Sequence, residues 1–202
     1  MSRGRFVALE GGDGTGKSTQ AGRLADALDA LLTREPGGTA LGEGIRHLVL
    51  DPAGPTIGRR AEALLMAAAR AQHVEEVIEP ALAAGRDVVT DRFIGSSVAY
   101  QGHGRELDPG EVHELSRWAT VGLEPDLTVL LEVSEAVAAE RLGLDLDRLE
   151  SAGDAFHRRV AAGYLAQAAA DPDRWVTVDA SGSVDDVAAA VRAAVEARLP
   201  SC

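Results

Sequence analysis

The sequence predicts an α/β fold: a three-layer sandwich in which a five-stranded parallel sheet carries helices on both faces. Three observations lead there. Short apolar runs of strand length alternate with longer segments of helical period. The first run leads straight into a glycine-rich turn and then a helix. No internal repeat or linker interrupts the 202 residues, which suit a single domain, 1–202, with a sizeable core.

The expected strands are Phe6–Glu10, Leu31–Arg34, Asp87–Thr90, Leu127–Val133 and Trp175–Val178. Each is short and apolar, as strands buried on both faces are. Between them, Ala21, Leu24, Ala25, Leu28 and Leu31 share one helical face, as do Val74, Val77, Ile78, Ala81 and Leu82, although Pro80 is expected to kink or end that helix. Val184, Val187, Ala188, Val191 and Val195 form the last amphipathic helix, with Ser183 as its N-cap. Trp118 and Trp175 read as core, and Glu132 as a buried or edge carboxylate with a structural partner.

The formal charge is −12. That excludes a protein that coats nucleic acid, which needs a basic face. If an acidic chain handles phosphates, its arginines must gather in one cleft. Cys202 is the single cysteine, so no disulfide forms within the chain and a reducing compartment is expected. The start lacks the apolar core of a signal peptide, and no apolar run approaches the ~20 residues of a membrane span. A cytoplasmic protein bound to neither membrane nor nucleic acid is the expectation.

Residues 11–18 read GGDGTGKS and fit the pattern G-x-x-x-x-G-K-S/T at Gly11, Gly16, Lys17 and Ser18. Glycines let backbone N–H groups turn inward around phosphates, and the following helix presents its positive end. Lys17 reaches the β- and γ-phosphates, and the Ser18 hydroxyl is a ligand for Mg²⁺. With a strand before and a helix after, this is a P-loop of the NTPase type, with Gly12, Asp13, Gly14, Thr15 and Thr19 completing the triphosphate-binding stretch. Alone it says only that a nucleoside triphosphate binds.

The third strand ends VVTDRF, residues 88–93. An acid directly after an apolar parallel strand lies at the carboxyl edge of the sheet, beside the phosphate loop. Asp91 there suits Mg²⁺ held through water, and Arg92 suits a second phosphate. The alternative is an Asp–Arg pair that caps the next helix or stands on the surface.

Further motifs follow in order: TREPGGT at 33–39, GEGIRHLVLD at 42–51, RAQH at 70–73, DRFIGSSVAYQG at 91–102 and DRLE at 147–150. After a GGDGTGKS loop, this set resembles the bacterial thymidylate kinases over nearly the whole chain. The resemblance implies phosphorylation of dTMP to dTDP with ATP and Mg²⁺, in dTTP biosynthesis, by a homodimer packed through helices near 58–84 and 109–122. It implies that Arg46 and Arg92 clamp the dTMP phosphate, and that Glu35 and Pro36 wall the acceptor site. By the same resemblance Arg70 reads thymine, Ser97 and Gln101 contact the pyrimidine, and Tyr100 crowds the sugar 2′ position. Asp13 lies near the acceptor sugar, Arg141 lies over the adenine, and residues 179–181 flank the adenine edge. Lys17 follows the γ-phosphoryl group, with Ser18 as metal ligand and Asp91 behind it. No strong general base is needed, because the acceptor is already a phosphate.

Several positions depart from the family pattern. Met66 stands where the family has a phenylalanine stacked on thymine, and Ala69 where an acid is usual. The stretch before REPGG is short, and Gly14 occupies a loop position where eukaryotic-type enzymes place an arginine. A lid is expected around residues 143–153, hinged at Gly143 and Gly153. It is short, and from Leu142 to His157 its one cation is Arg148, which is therefore expected to carry the lid's charge to the transferring phosphoryl group. Met66 keeps open a monophosphate kinase of altered specificity, one that accepts dUMP. The short lid keeps open a catalytically weak nucleotide-binding protein. Gln72 and His73 read as helix-packing or capping groups, and Arg141 alternatively as a solvated helix residue.

Overall fold

The computed structural model describes residues 3–141, 143 and 146–199. Cys202 and the lid positions 144 and 145 lie outside the described residues. Five parallel strands, β1 (Phe6–Glu10), β2 (Leu31–Arg34), β3 (Val88–Asp91), β4 (Leu127–Glu132) and β5 (Trp175–Asp179), form one sheet in the order β2-β3-β1-β4-β5. The five expected strands are the five observed, with ends shifted by one residue at β3, β4 and β5. The register pairs Leu9 with Asp91, and Arg34 with Asp91. The carboxyl ends of β1, β2 and β3 therefore open on one side of the molecule.

β1 is buried along its whole length because it is central and covered on both faces. Val7 and Leu9 face α1 (Lys17–Leu28) and α9 (Val184–Arg198), packing with Leu24, Val187 and Val191. Phe6 and Ala8 face the opposite layer, with Val74, Ile78, Leu82 and Phe93. That layer comprises α2 (Ala40–Leu50), α3 (Arg59–His73), α4 (Glu79–Ala83), α5 (Ile94–Ser97), α6 (Pro109–Ala119) and α8 (Asp154–Ala170). The short α7 (Glu135–Arg141) follows β4. Ser183 does cap α9, its hydroxyl accepting from Asp186 N–H at 3.2 Å.

Four expectations need correction. Leu31 is not on the face of α1. That helix stops at Leu28, where Asp29 turns left-handed (φ 51°), and Leu31 opens β2. Pro80 does not end its helix: residues 74–78 widen into a π turn just before it, a local distortion of the ladder, and the helical chain runs on through Pro80 into α4. Trp118 is not core but 80% exposed on α6, and Trp175 is only half-buried. Glu132 is exposed at the end of β4.

Candidate active site

A cavity of ≈ 810 Å³ lies at the carboxyl edge of β1, β2 and β3. Asp13, Gly14, Gly16, Lys17, Ser18 and Thr19 line one end of it. Glu35, Pro36, Arg46, Met66, Arg70, Asp91, Arg92, Ser97, Tyr100 and Gln101 line the rest. The structure thus brings together the phosphate loop and every residue that the resemblance placed on the acceptor. Arg34, Arg46, Arg70 and Arg92 gather in it, the concentration of arginines that an acidic phosphate-handling chain requires.

The phosphate loop is built around glycines with positive φ. At Gly14 (φ 77°) a Cβ would lie 2.4 Å from the carbonyl oxygen of Ala138 on α7. A side chain at this position would collide with backbone, so the loop itself supplies no cation there. The Thr15 hydroxyl donates to Gly12 O at 2.9 Å, and Lys17 Nζ to the same oxygen at 2.5 Å. Burial, reinforced by the Arg92 charge and opposed by Asp13 and Asp91, lowers the Lys17 ammonium to a pKa of about 8.

Ser18 Oγ donates to Asp91 Oδ2 at 2.5 Å. The other carboxylate oxygen, Oδ1, is buried and has no hydrogen-bond partner. A hydroxyl and a half-orphaned carboxylate beside a phosphate loop are hard oxygen donors suited to Mg²⁺, which takes one or two protein oxygens and completes its shell with phosphates and water. Among the described residues no group of three or more His, Cys, Asp or Glu forms a closed metal cage.

Arg92 adopts φ 72°, uncommon for a residue with a side chain and typical of a site that fixes a functional group. It forms an ion pair with Asp13 through Nη2. Its guanidinium also lies 5.0 Å from the Tyr100 ring centre. Tyr100 donates to Asp13 Oδ2 at 2.6 Å. Burial pushes the Asp13 carboxyl up, but Arg92, Lys17 and the Tyr100 hydroxyl outweigh it and hold it below its usual value. Burial keeps the Tyr100 phenol protonated, far above its usual range.

At the other end, Arg70 lines the cavity and is itself almost wholly buried. Its Nε donates to Glu35 Oε2 at 2.7 Å, Nη1 to Ser97 and Ser116 Oγ at 3.0 Å each, and Nη2 to Phe93 O at 3.0 Å. His73, on the last turn of α3, fixes Glu35 from behind. Its Nδ1 lies 3.0 Å from Glu35 Oε1, and its Nε2 lies 2.6 Å from Thr33 Oγ1. Arg46 Nη1 donates to Pro36 O at 3.0 Å. Gln101 is buried and donates to Glu62 Oε1 at 3.0 Å, and Met66 packs with Tyr100, Ile45 and Leu149.

Gly11, Gly12 and Thr15 do not line the cavity; Gly11 and Thr15 are buried behind it. Arg141 is also off the cavity wall, but its Nη1 donates to Ala180 O at 3.0 Å, which sets it beside the 179–181 loop.

Arg148 is a correction. The structure does not bring it to the cavity. Its Nη2 donates to Asp51 O at 2.6 Å, and its backbone N–H to Leu50 O at 3.0 Å. The reason is the C-terminus of α2, whose last carbonyls lack helical partners and attract a cation. Leu149 beside it is buried among Ile45, Val49 and Met66, which pins the segment there. Asp147, Leu149 and Glu150 face the cavity instead.

Three site residues escaped the sequence reading. Glu10 is fully buried at the end of β1 and accepts from Phe93 N–H and Ser96 N–H at 2.9 Å each. Its signal was visible: one acid closing an otherwise apolar strand. Ser96 and Tyr164 contact both Glu10 and Arg92, yet Tyr164 continues the Phe156–Val160 spacing of an ordinary core face, so nothing in its spacing marked it.

Comparisons with known proteins agree with this geometry. The family model described as "Thymidylate kinase" matches residues 9–191. A thymidylate kinase of Leifsonia xyli is 53% identical, over 97% of this chain and 96% of its own length. One of Cutibacterium acnes is 50% identical, over 97% and 98%. The crystal structure of thymidylate kinase from Ehrlichia chaffeensis superposes with a TM-score of 0.79 at 27% identity, covering 96% of this chain and 99% of that one. The chain belongs to the thymidylate kinase family.

Proposed function

We propose that this chain transfers the γ-phosphoryl group of ATP to dTMP, giving dTDP and ADP, in the cavity bounded by the phosphate loop and the arginines of three other segments. One observation carries the reading. Lys17 and Ser18 stand at one end of a single cavity, and Arg46, Arg70 and Arg92 converge on the remainder from α2, α3 and the turn after β3. That arrangement suits two phosphorylated ligands in one cavity, and phosphoryl transfer asks for little else than position and charge.

In this reading ATP lies with its phosphates on the loop, and its adenine lies between Arg141 and residues 179–181. Ser18 and Asp91 would hold Mg²⁺, which neutralises charge on the β- and γ-phosphates when bound. Lys17 leaves Gly12 O to follow the γ-phosphoryl group. Arg46 and Arg92 hold the acceptor phosphate, and Asp13 holds the acceptor sugar. Arg70, braced by Glu35, faces thymine across Ser97, with Gln101 beside it and Met66 against the base. Tyr100 is locked between Asp13 and Arg92, so its ring has little freedom to yield to a 2′-hydroxyl, which favours deoxyribose.

Among the described residues no helix is long and apolar enough to cross a membrane. That and the lone cysteine support a cytoplasmic enzyme. A homodimer is supported by apolar side chains left on the surface of α3 and just past α6, Leu64 and Val121, together with Trp118 on α6. ADP release measured with dTMP, dUMP, dGMP and the ribose analogue of dTMP tests the activity. dTMP is expected to exceed each of the others, and no release with any of them would overturn the reading.

A further inference from the structure

Arg92 cannot accept a hydrogen bond, so its direction is set by the lone pairs around it. Its Nη1 has three oxygens within reach: Gly11 O, Ser96 Oγ and Tyr164 OH, each at 3.1 Å. Two of the three are hydroxyls, and a hydroxyl offers a lone pair in this direction only if its single proton points elsewhere. Glu10 supplies that elsewhere. Its Oε2 accepts from Ser96 Oγ at 2.6 Å and from Tyr164 OH at 3.2 Å. The two hydroxyls are 2.8 Å apart, so the Tyr164 proton goes to Glu10 or to Ser96 and in both cases away from Arg92.

Core packing explains the Tyr164 ring, which meets the Tyr100 ring edge-on at 6.3 Å. It does not explain three polar contacts at one buried hydroxyl. Nor does packing explain a fully buried carboxylate with four donors. The turn also rests directly on that carboxylate: a Cβ at Gly95 would come within 2.9 Å of Glu10 Oε1. Neither Glu10 nor Tyr164 lines the active-site cavity, so neither touches substrate there.

We propose that Glu10 and Tyr164 are positioning residues for phosphoryl transfer: by drawing the hydroxyl protons of Ser96 and Tyr164 to itself, the Glu10 carboxylate turns their lone pairs toward Arg92 and aims that guanidinium at the acceptor phosphate. The inference rests on Arg92 being the acceptor clamp. The three groups come from β1, the α5 turn and α8. α8 starts at Asp154, shortly after the segment that contributes Asp147, Leu149 and Glu150 to the cavity, so the helix that fixes Arg92 continues the chain from that wall.

The test uses Glu10→Gln, Tyr164→Phe, Arg92→Ala and the Tyr164→Phe/Arg92→Ala double variant, each read by melting temperature and by separate kcat and KM for dTMP and ATP. Tyr164→Phe deletes one oxygen and keeps the ring. It is expected to lower kcat/KM for dTMP about tenfold, the usual size of a hydrogen bond to a charged group, with KM for ATP within about twofold. Glu10→Gln keeps the shape but places amide hydrogens where the hydroxyl protons went, forcing those protons toward Arg92. Its loss is expected to be at least as large. On the Arg92→Ala background, Tyr164→Phe is expected to cost nothing further. Wild-type dTMP kinetics with only a lower melting temperature in Tyr164→Phe would overturn the inference, and so would a full tenfold loss on the Arg92→Ala background. Should Glu10→Gln fail to fold, Tyr164→Phe alone decides. Wild-type dTMP kinetics in Arg92→Ala itself would overturn the acceptor-clamp reading, and the inference with it.

Discussion

Lys17 Nζ lies 2.5 Å from the carbonyl oxygen of Gly12, five residues back along its own loop. The ammonium thus donates to a backbone acceptor of its own loop, in a site that also contains Arg92. Its lowered pKa follows from burial and from the neighbouring cation.

The first prediction is a proton uptake. Free Lys17 titrates near 8, below its ordinary 10.5, and a bound triphosphate favours its charged form. ATP binding at pH 8 is therefore expected to take up protons, seen as a dependence of the calorimetric heat on the buffer's ionisation enthalpy. For the same reason kcat/KM for ATP falls as pH rises through about 8, with the alkaline limb of kcat itself at higher pH. The sign for stability is the reverse. A depressed folded pKa gives stability that is present above 10.5 and lost as pH falls through 8, so at pH 7 the charged Lys17 is a cost to the fold. Lys17→Ala is expected to melt no lower than wild type while losing on the order of 10²–10³ in kcat. Near-normal turnover would remove Lys17 from the chemistry.

Arg46 supports the second prediction. Its Nη1 is anchored on Pro36 O, while the adjacent Glu35 anchors Arg70, so one dipeptide spaces the phosphate and base ends of the acceptor site. Arg46→Ala is expected to raise KM for dTMP at least about tenfold and leave KM for ATP within about twofold, as loss of a charge-assisted phosphate contact does. An equal rise for both substrates in steady-state kinetics would place Arg46 on the wrong ligand.

The sheet was legible because each buried strand is a short apolar run, and the loop because its glycines and lysine occupy a fixed spacing. The cavity residues were legible through motifs rather than through periodicity. What remained hidden depended on tertiary neighbours. Tyr164 has the spacing of any core residue, and only its meeting with Glu10 and Ser96 gives the hydroxyl a role. Trp118 looks like core because tryptophan usually is, and its exposure is decided by which face of α6 packs on α3, α5 and residues 98–104. Arg148 was misplaced because the docking of residues 147–150 on the end of α2 is set by Leu149 finding the Met66 cluster, a contact almost a hundred positions removed from Asp51 in sequence.

The third prediction concerns that arginine. With Nη2 on Asp51 O and its backbone on Leu50 O, Arg148 caps α2. Arg148→Ala is expected to lower stability by about 1 kcal/mol, the size of such a helix-end contact. kcat is expected to change less than about threefold, because an arginine that meets the transferring phosphoryl group would cost 10³ or more. Thermal melts and single-turnover rates measured on the same preparation separate the two. A loss of 10² or more in the chemical step would mean that Arg148 leaves α2 and enters the cavity when substrates bind.

The last prediction tests the dimer. Trp118 is 80% exposed on α6, and Val121, just beyond that helix, is 94% exposed with a left-handed backbone (φ 53°). α6 packs on α3, which presents Leu64 to solvent as well. An indole ring left in water forgoes the ~25 cal/mol per Å² that burial of apolar area returns. Tryptophan is also the residue type that most often anchors interfaces. If a second copy covers this surface, a carboxylate at the ring's position must be buried there without a partner, a cost of several kcal/mol per subunit. Trp118→Glu is therefore expected to sediment as a monomer at concentrations where the wild-type chain is a dimer. In the isolated chain the same change faces water, so the monomer is expected to keep its far-UV circular dichroism. Trp118 does not line the active-site cavity, so any fall in kcat on dissociation reports support of the cavity wall by the partner rather than loss of a contact with substrate. A wild-type chain that sediments as a monomer, or a Trp118→Glu variant that stays dimeric, would show that this surface is not the interface.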